Sequence, residues 1–329
     1  MKVFVSGATG FIGVQLVKRL VREGMEVHAL YRSAEKTLPL KMEGVTLFKG
    51  DLLNPGSLDA ALKGCSQAYH IAAFAGVWSP EPDLVYRLNV DGALHMVAAC
   101  RKAGIMRIVV TSTAGVLGPS FGEAVHENSP APDSFFTSYE RSKFQMEQHL
   151  MKVDPKELEI VIVNPTRVYG PGIMSDSNGV TRMIRSYLNN NWRYVPGKGN
   201  QSGNYVFVED VVSGHLLAME KGIPGQRYVL GGENLSYRQL FEIISTVSGV
   251  RKRLIGIPLW LMIPAAAAMR EAAKITGRPP LIVPELVRKF HHHWIVSSEK
   301  ATRELGYAPL PAAEAISITV DWIKTMDKM

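Results

Sequence analysis

Short apolar runs alternate with helical patterns along the first half of the chain. Lys2-Val-Phe-Val-Ser6 has strand character, and Phe11, Ile12, Leu16, Val17 and Leu20 then fall at helical spacing. The alternation continues to residue 163. It predicts strands at 2–6, 26–31, 45–48, 67–71, 106–111 and 158–163, and helices at 11–23, 55–63, 83–103 and 137–152. Several of the strands are near-continuous apolar runs, as expected where both faces of a parallel sheet are covered. Strand and helix in turn, with short connections, imply a doubly wound α/β sheet. After Pro165 the pattern loosens. A helix is expected from Asp210 to Met219, a strand from Gln226 to Leu230, and helices at Tyr237–Ser248 and about Pro311–Met326. The implied partition is a sheet domain over 1–165 and a smaller lobe over 166–329, with about 205–230 returning to the sheet domain.

Within the second half, Ile257–Met269 is strongly apolar and follows Arg251, Lys252 and Arg253. It is expected to be a helix buried in the lobe, with contact to a bilayer or a lipophilic substrate as the alternative. The segment 119–136 carries Pro119, Gly122, Pro130 and Pro132 and is expected to be a loop over the active site.

Composition narrows the class. The chain has 329 residues, 46% hydrophobic and 20% charged, enough for a sizeable core. The net charge of +7 and pI near 9.3 come without a dense Lys/Arg run interleaved with aromatics, so nucleic acid is not implied, and an anionic cofactor or a membrane surface accounts for the charge as well. Cys65 and Cys100 sit in apolar surroundings and read as reduced thiols. Met1 runs straight into the first strand, and no uninterrupted apolar stretch is long enough to span a bilayer. A cytoplasmic protein is the expectation. His291, His292 and His293 are consecutive and point in different directions on a helix, so no metal is expected.

The chemistry begins at Gly7-Ala-Thr-Gly10-Phe-Ile-Gly13, between the first strand and helix. A glycine turn there aims backbone N–H groups, at the positive end of the helix dipole, toward a pyrophosphate. The sheet is therefore of Rossmann type. The second strand ends in Tyr31-Arg32-Ser33, with Lys36 beyond. An acidic residue near this point grips a ribose 2′-hydroxyl, whereas an arginine accommodates a 2′-phosphate. Arg32 argues for NADP(H), with NAD(H) as the alternative. Asp51 follows the third strand and either accepts from the adenine amino group or caps the next helix. His70, at the end of the fourth strand, reads as a packed core residue.

The fifth strand runs into Thr111-Ser112-Thr113, and a later helix carries Tyr139 and Lys143 four residues apart on one face. A phenol ordinarily titrates near 10. An ammonium beside it, with the cationic nicotinamide of the oxidised cofactor, is expected to lower that value. Thr113 can hold a substrate oxygen beside Tyr139, which completes a proton-transfer set next to a hydride carrier.

These features resemble the extended short-chain dehydrogenases/reductases, the NAD-dependent epimerase/dehydratase family. The resemblance rests on the glycine loop, Asp51-Leu52, His70-x-Ala-Ala73, Asn89-Val-Asp-Gly92, Thr111-Ser-Thr113, Tyr139-x-x-x-Lys143, Asn164-Pro165 and Tyr205-Val-Phe-Val-Glu-Asp210-Val. Within the family, the run from Glu209 to Leu235 looks most like proteins similar to dihydroflavonol reductases and hopanoid-associated sugar epimerases. The resemblance implies that Tyr139 is the acid/base, Lys143 its partner and Thr113 the substrate-polarising hydroxyl. Together with Arg32 and Lys36, the implied cofactor residues are Gly7, Thr9, Gly10, Phe11, Ile12, Gly13, Asp51, Leu52, Ala72, Ala73, Phe74, Asn89, Thr111, Ser112, Tyr139, Lys143, Val163, Asn164, Pro165 and Val168. The substrate residues are Phe74, Trp78, Thr113, Asn164 and Tyr169.

Two activities share this cofactor site. A reductase converts a ketone or aldehyde to an alcohol; a sugar-nucleotide epimerase or dehydratase returns the hydride to its own substrate. Epimerases that resemble this chain carry an arginine two residues before the Tyr205 aromatic to clamp the diphosphate, and here that position is Gly203. Arg182, Arg185, Arg193 and Arg288 are candidate substitutes. The expectation is the reductase, acting on a small carbonyl or alcohol that is lipophilic if the apolar stretch near 260 contacts it. A non-catalytic NADP-binding protein is the third reading; Tyr139 and Lys143 argue against it. A homodimer would pair the helices at 83–103 and 137–152.

Overall fold

The computed structural model describes residues 1–76, 78–79, 81 and 83–328. Among the described residues, twelve strands run in chain order: β1 (Lys2–Ser6), β2 (Glu26–Tyr31), β3 (Val45–Lys49), β4 (Gln67–His70), β5 (Arg107–Thr111), β6 (Glu159–Pro165), β7 (Arg167–Tyr169), β8 (Tyr194–Pro196), β9 (Ser202–Phe207), β10 (Arg227–Leu230), β11 (Glu233–Ser236) and β12 (Ile255–Ile257). The main sheet is parallel, in the order β10-β6-β5-β4-β1-β2-β3. Strand order reverses between β1 and β4, which opens a crevice at the carboxyl ends of those strands. Val3, Val5, Val109, Val161 and Val163 bury one face against the helices Phe11–Arg22 and Val208–Lys221; Phe4, Ala68, Ile108, Val110 and Ile162 bury the other. Parallel strands covered on both faces read as continuous apolar runs, which is why the sequence pattern located them.

Of the stretch 205–230, the helix Val208–Lys221 and β10 join the main sheet. β9 instead lies between β11 and β7 in a separate three-stranded sheet. Tyr169, Tyr205, Phe207, Leu240, Phe241, Ile316 and Val320 form the core beneath that sheet.

Two expectations need correction. The helix Leu259–Thr276 is not a buried core helix: only Leu259, Ala266 and Ala273 are buried, while Trp260 is 74% and Ile275 88% exposed. Its neighbours supply only a small apolar cluster at Leu259, Ala266 and Val287, too little to cover the helix. No helix among the described residues is long and apolar enough to cross a membrane. The loop 119–136, for its part, does not border the catalytic cavity. It is bound elsewhere, through bridges Ser120–His293 and Val125–Val296 and through the Glu127 carboxylate, which accepts the Val229 N–H at 2.6 Å.

Candidate active site

A cavity of about 780 Å³ opens at the strand-order reversal. One end is walled by Gly7, Thr9, Gly10, Phe11, Ile12 and Gly13, then by Arg32, Lys36, Asp51 and Leu52; the middle by Ala72, Ala73, Phe74 and Thr111–Thr113; the far end by Tyr139, Lys143, Pro165, Arg167 and Val168. The glycine turn is tight: Gly10 donates to the Gly7 carbonyl at 2.9 Å, and a Cβ on Gly13 would lie 2.1 Å from that same oxygen. Helix and turn therefore approach as only glycine allows. Arg32 is exposed at the cavity edge and has no ion-pair partner among the described residues. Asp51 is not a helix cap. Its Oδ1 accepts from the Leu53 N–H at 2.9 Å, and the turn Pro55–Leu58 starts from Asn54. Ser112 places a buried Oγ without a protein partner at the wall. The glycine cradle, that orphaned hydroxyl and a cation at the adenosine end fit a nicotinamide dinucleotide.

The helix Ser138–Leu150, which carries Tyr139 and Lys143, begins with a capping box. Thr137 Oγ1 accepts the Glu140 N–H, and Glu140 accepts the Thr137 N–H, both at 3.2 Å. This fixes the first turn, and with it Tyr139. Thr113 caps the turn Ala114–Leu117, its Oγ1 accepting from Gly115 at 3.1 Å. The Thr113 O–H proton stays available for a substrate oxygen. Lys143 donates to the Thr111 carbonyl at 2.7 Å. Thr111 in turn donates its hydroxyl to His215 Nε2 at 2.8 Å. The His215 Nδ1 lies 2.7 Å from the Val211 carbonyl, which can only accept, so Nδ1 carries the proton. Burial holds His215 neutral, with its pKa lowered to about 4.

The Lys143 ammonium does not by itself bring the Tyr139 pKa down. Burial pushes the phenol up to about 12, against a smaller opposing pull from the Thr113 hydroxyl. Lys143 spends its ammonium on the Thr111 carbonyl, and burial lowers its own pKa to about 8 despite Glu147. His70 is buried, with Nδ1 2.7 Å from Ser6 Oγ, and burial with the nearby Lys143 charge lowers it to about 3. It is neutral and not a wall residue.

Several predicted site residues stand behind the wall. Asn89 accepts from the Phe74 N–H at 2.7 Å and donates to Ser142 Oγ at 2.9 Å, locking the 72–75 loop to the helix that carries Tyr139. It does so from a π-helical stretch, Arg87–Asp91, of the kind frequent at functional sites. Asn164 is fully buried and donates to the Thr113 carbonyl at 3.1 Å and to Glu147 at 2.7 Å. Val163 packs in the sheet core. Tyr169 is buried under the second sheet, and Trp78 lies off the cavity, so neither can touch a ligand there.

The far wall holds what sequence reasoning missed: Arg167, Lys289, Val180, Met183, Tyr237, Leu286 and Phe290. Arg182, Arg185, Arg193 and Arg288 are not on it; Arg185 pairs with Asp327 at 2.6 Å. Arg167 Nη1 donates to Tyr205 Oη at 3.0 Å, and the guanidinium lies 5.3 Å from the Tyr205 ring centre and 5.7 Å from that of Tyr237. Lys289 is paired with Glu140 and stacks 4.2 Å over Trp294.

Comparison with known proteins gives the family. The model for the NAD dependent epimerase/dehydratase family matches residues 3–231. The chain belongs to that family. Members of the extended short-chain dehydrogenase/reductase group are oxidoreductases, and this chain is one by family and fold. It is 32% identical over 330 residues, 98% of this chain and 94% of the other, to a Synechocystis sp. protein whose name provisionally assigns it to dihydroflavonol 4-reductase. It is 30% identical over 327 residues (95% and 96%) to the 2-alkyl-3-oxoalkanoate reductase of Stenotrophomonas maltophilia. The crystal structure of gox2253 superposes with a TM-score of 0.83 at 30% identity, covering 99% of each chain. A UDP-glucose 4-epimerase from Thermotoga maritima shares the fold, with a TM-score of 0.81 at 22% identity and 99% of each chain covered.

Proposed function

We propose that this oxidoreductase is an NADP(H)-dependent reductase that converts a ketone or aldehyde to an alcohol. The observation that carries the reading is the Tyr139–Thr113 pair at the far end of the cavity that begins at the glycine turn. A phenol that stays protonated at neutral pH has a proton to give to the oxygen of a reduced carbonyl. When bound, the reduced nicotinamide supplies a hydride. The chain's own residues do the rest. The Thr113 hydroxyl donates to the substrate oxygen, Tyr139 gives that oxygen its proton, and Lys143 Nζ, fixed on the Thr111 carbonyl, keeps donors for the nicotinamide ribose. Arg32, exposed and without an ion-pair partner among the described residues, supports a 2′-phosphate.

The test is titration with NADPH and NADH, followed by a carbonyl panel read at the nicotinamide absorbance band. NADPH is expected to bind tighter, and Arg32→Ala to weaken NADPH about tenfold or more while sparing NADH. Equal affinities would overturn the NADP(H) assignment. Tyr139→Phe is expected to lose about 10²–10⁴-fold in kcat with cofactor affinity kept; a fully active variant refutes the mechanism.

Arg167 supports a second reading, a sugar-nucleotide epimerase, because its guanidinium occupies the space next to Gly203. Turnover of UDP-glucose without net change in the cofactor would establish that reading over the reductase.

A further inference from the structure

Gly203 is a strand residue in extended backbone, paired with Leu235 across β11, and its conformation does not require glycine. Space does. A Cβ at 203 would lie 2.2 Å from Arg167 Nη1 and 2.4 Å from Cζ. β7 runs beside β9 with Arg167 opposite Tyr205. Gly203, two residues before Tyr205, faces the same side of β9. The missing side chain is the seat of the guanidinium.

That guanidinium is a half-buried cation with no carboxylate partner among the described residues. Its neighbours among the described residues are phenols and their rings; no carboxylate lies within ion-pair distance. Lys289 beside it is already paired with Glu140. This stretch of the cavity wall therefore carries a positive charge with phenols rather than a carboxylate beside it, in a planar fork with more N–H donors than the one given to Tyr205. One such fork matches a monoanionic carboxylate.

The grip stands near the chemistry. Arg167 follows Pro165 by two residues, and Asn164 holds the Thr113 carbonyl. Lys289, whose titration feels the Arg167 charge, bonds to Glu140, the residue after Tyr139. The same cavity is also lined by the apolar side chains of Val180, Met183, Leu286 and Phe290.

We propose that Arg167, seated by Gly203, binds the carboxylate of an oxo acid whose carbonyl lies a few carbons away at Tyr139 and Thr113 and whose alkyl body fills the apolar wall. The proposal rests on the reductase reading for the fate of the carbonyl. In the reduction, hydride adds to the carbonyl carbon, the C=O π pair moves to oxygen, and oxygen takes the Tyr139 proton. The carboxylate is unchanged.

The test uses 3-hydroxyoctanoate and its methyl ester as probes, bound to the full-length protein loaded with NADP⁺ and measured by calorimetry. The acid is expected to bind about 10- to 100-fold tighter than the ester. Arg167→Gln is expected to erase the preference while leaving ester affinity and NADP⁺ affinity as they were. Gly203→Ala should do the same with the arginine still present, which guards against a misfolded Arg167 variant. An acid that binds no tighter than its ester, or a preference that survives both substitutions, overturns the proposal. An Arg167-dependent preference for the acid, with no acid or alcohol in a wider panel changing the cofactor's oxidation state, leaves the carboxylate site standing and removes the reductase reading.

Discussion

Tyr139 and Lys143 sit one helical turn apart, and burial acts on them in opposite directions. It makes the phenol harder to ionise and the ammonium easier to neutralise, because each loses charge on leaving water. The motif was legible in the sequence because its two residues share a helix face, but their protonation was not, because it depends on what surrounds that face. Lys143 drops to about 8 from an ordinary 10.5. Between those values the unfolded chain holds a proton that the folded chain does not, so stability rises with pH in that window and the burial penalty is fully present below it. The slope is at most about 1.4 kcal/mol per pH unit. Urea unfolding at pH 8, 9 and 10 is expected to show this rise for the wild type, and Lys143→Met to flatten it. Carbonyl reduction is expected to behave the opposite way, level below pH about 8 and falling above it as the ammonium is lost. A reduction rate that climbs through pH 9 would mean that Lys143 does not need its charge. Arg167 illustrates what no motif announces. A single arginine after Asn164-Pro165 looks like any strand residue until the register sets it over Gly203, and Gly203 was readable only as a missing clamp.

At the scale of elements, the catalytic helix gains its position from both ends of the chain. Its capping box sets the first turn, and the same Glu140 carboxylate pairs with Lys289 at the end of the helix Pro284–Lys289. The pair pulls Leu286 and Phe290 up to the cavity as its apolar wall. The helix was legible over 137–152 from its pattern, whereas the capping box at Thr137 and Glu140 was found only in the structure. Lys289 was not legible, because its partner lies 149 residues away. Glu140→Gln separates the two roles. Glutamine still serves a capping box, so the helix start survives, but Lys289 is left as an uncompensated, largely buried cation. A loss of about 2 kcal/mol is expected in chemical denaturation. Lys289→Met added to Glu140→Gln should return part of it, because removing both charges removes the penalty. An additive double variant would mean that the pair does not couple helix and lobe.

Across the whole molecule, the parallel sheet was legible from the apolar runs of its strands, and β10 was legible as a strand over Gln226–Leu230. What local pattern could not show is how that strand is tied to the chemistry. Arg227 on β10 donates to Glu147 at 3.1 Å, with the Glu147 side chain wholly buried. Glu147 accepts from Asn164 on β6, and Asn164 donates to the carbonyl of Thr113. Arg227 also reaches the Glu127 carbonyl, so the 119–136 loop is held by the same residue. Four segments distant in sequence thus meet in one polar chain behind the catalytic threonine. Buried ion pairs add little net stability compared with apolar packing, but removing one partner strands the other. Arg227→Met leaves the Glu147 carboxylate buried with Asn164 as its remaining side-chain partner, and about 3–5 kcal/mol should be lost in urea titration. Glu147→Gln combined with Arg227→Met should recover much of that, because a neutral amide can still meet Asn164. If the network only stabilises, the recovered double variant turns over like wild type. If it also sets Thr113, kcat stays low after stability returns, and that split between stability and kcat is the measurement that assigns the network its role.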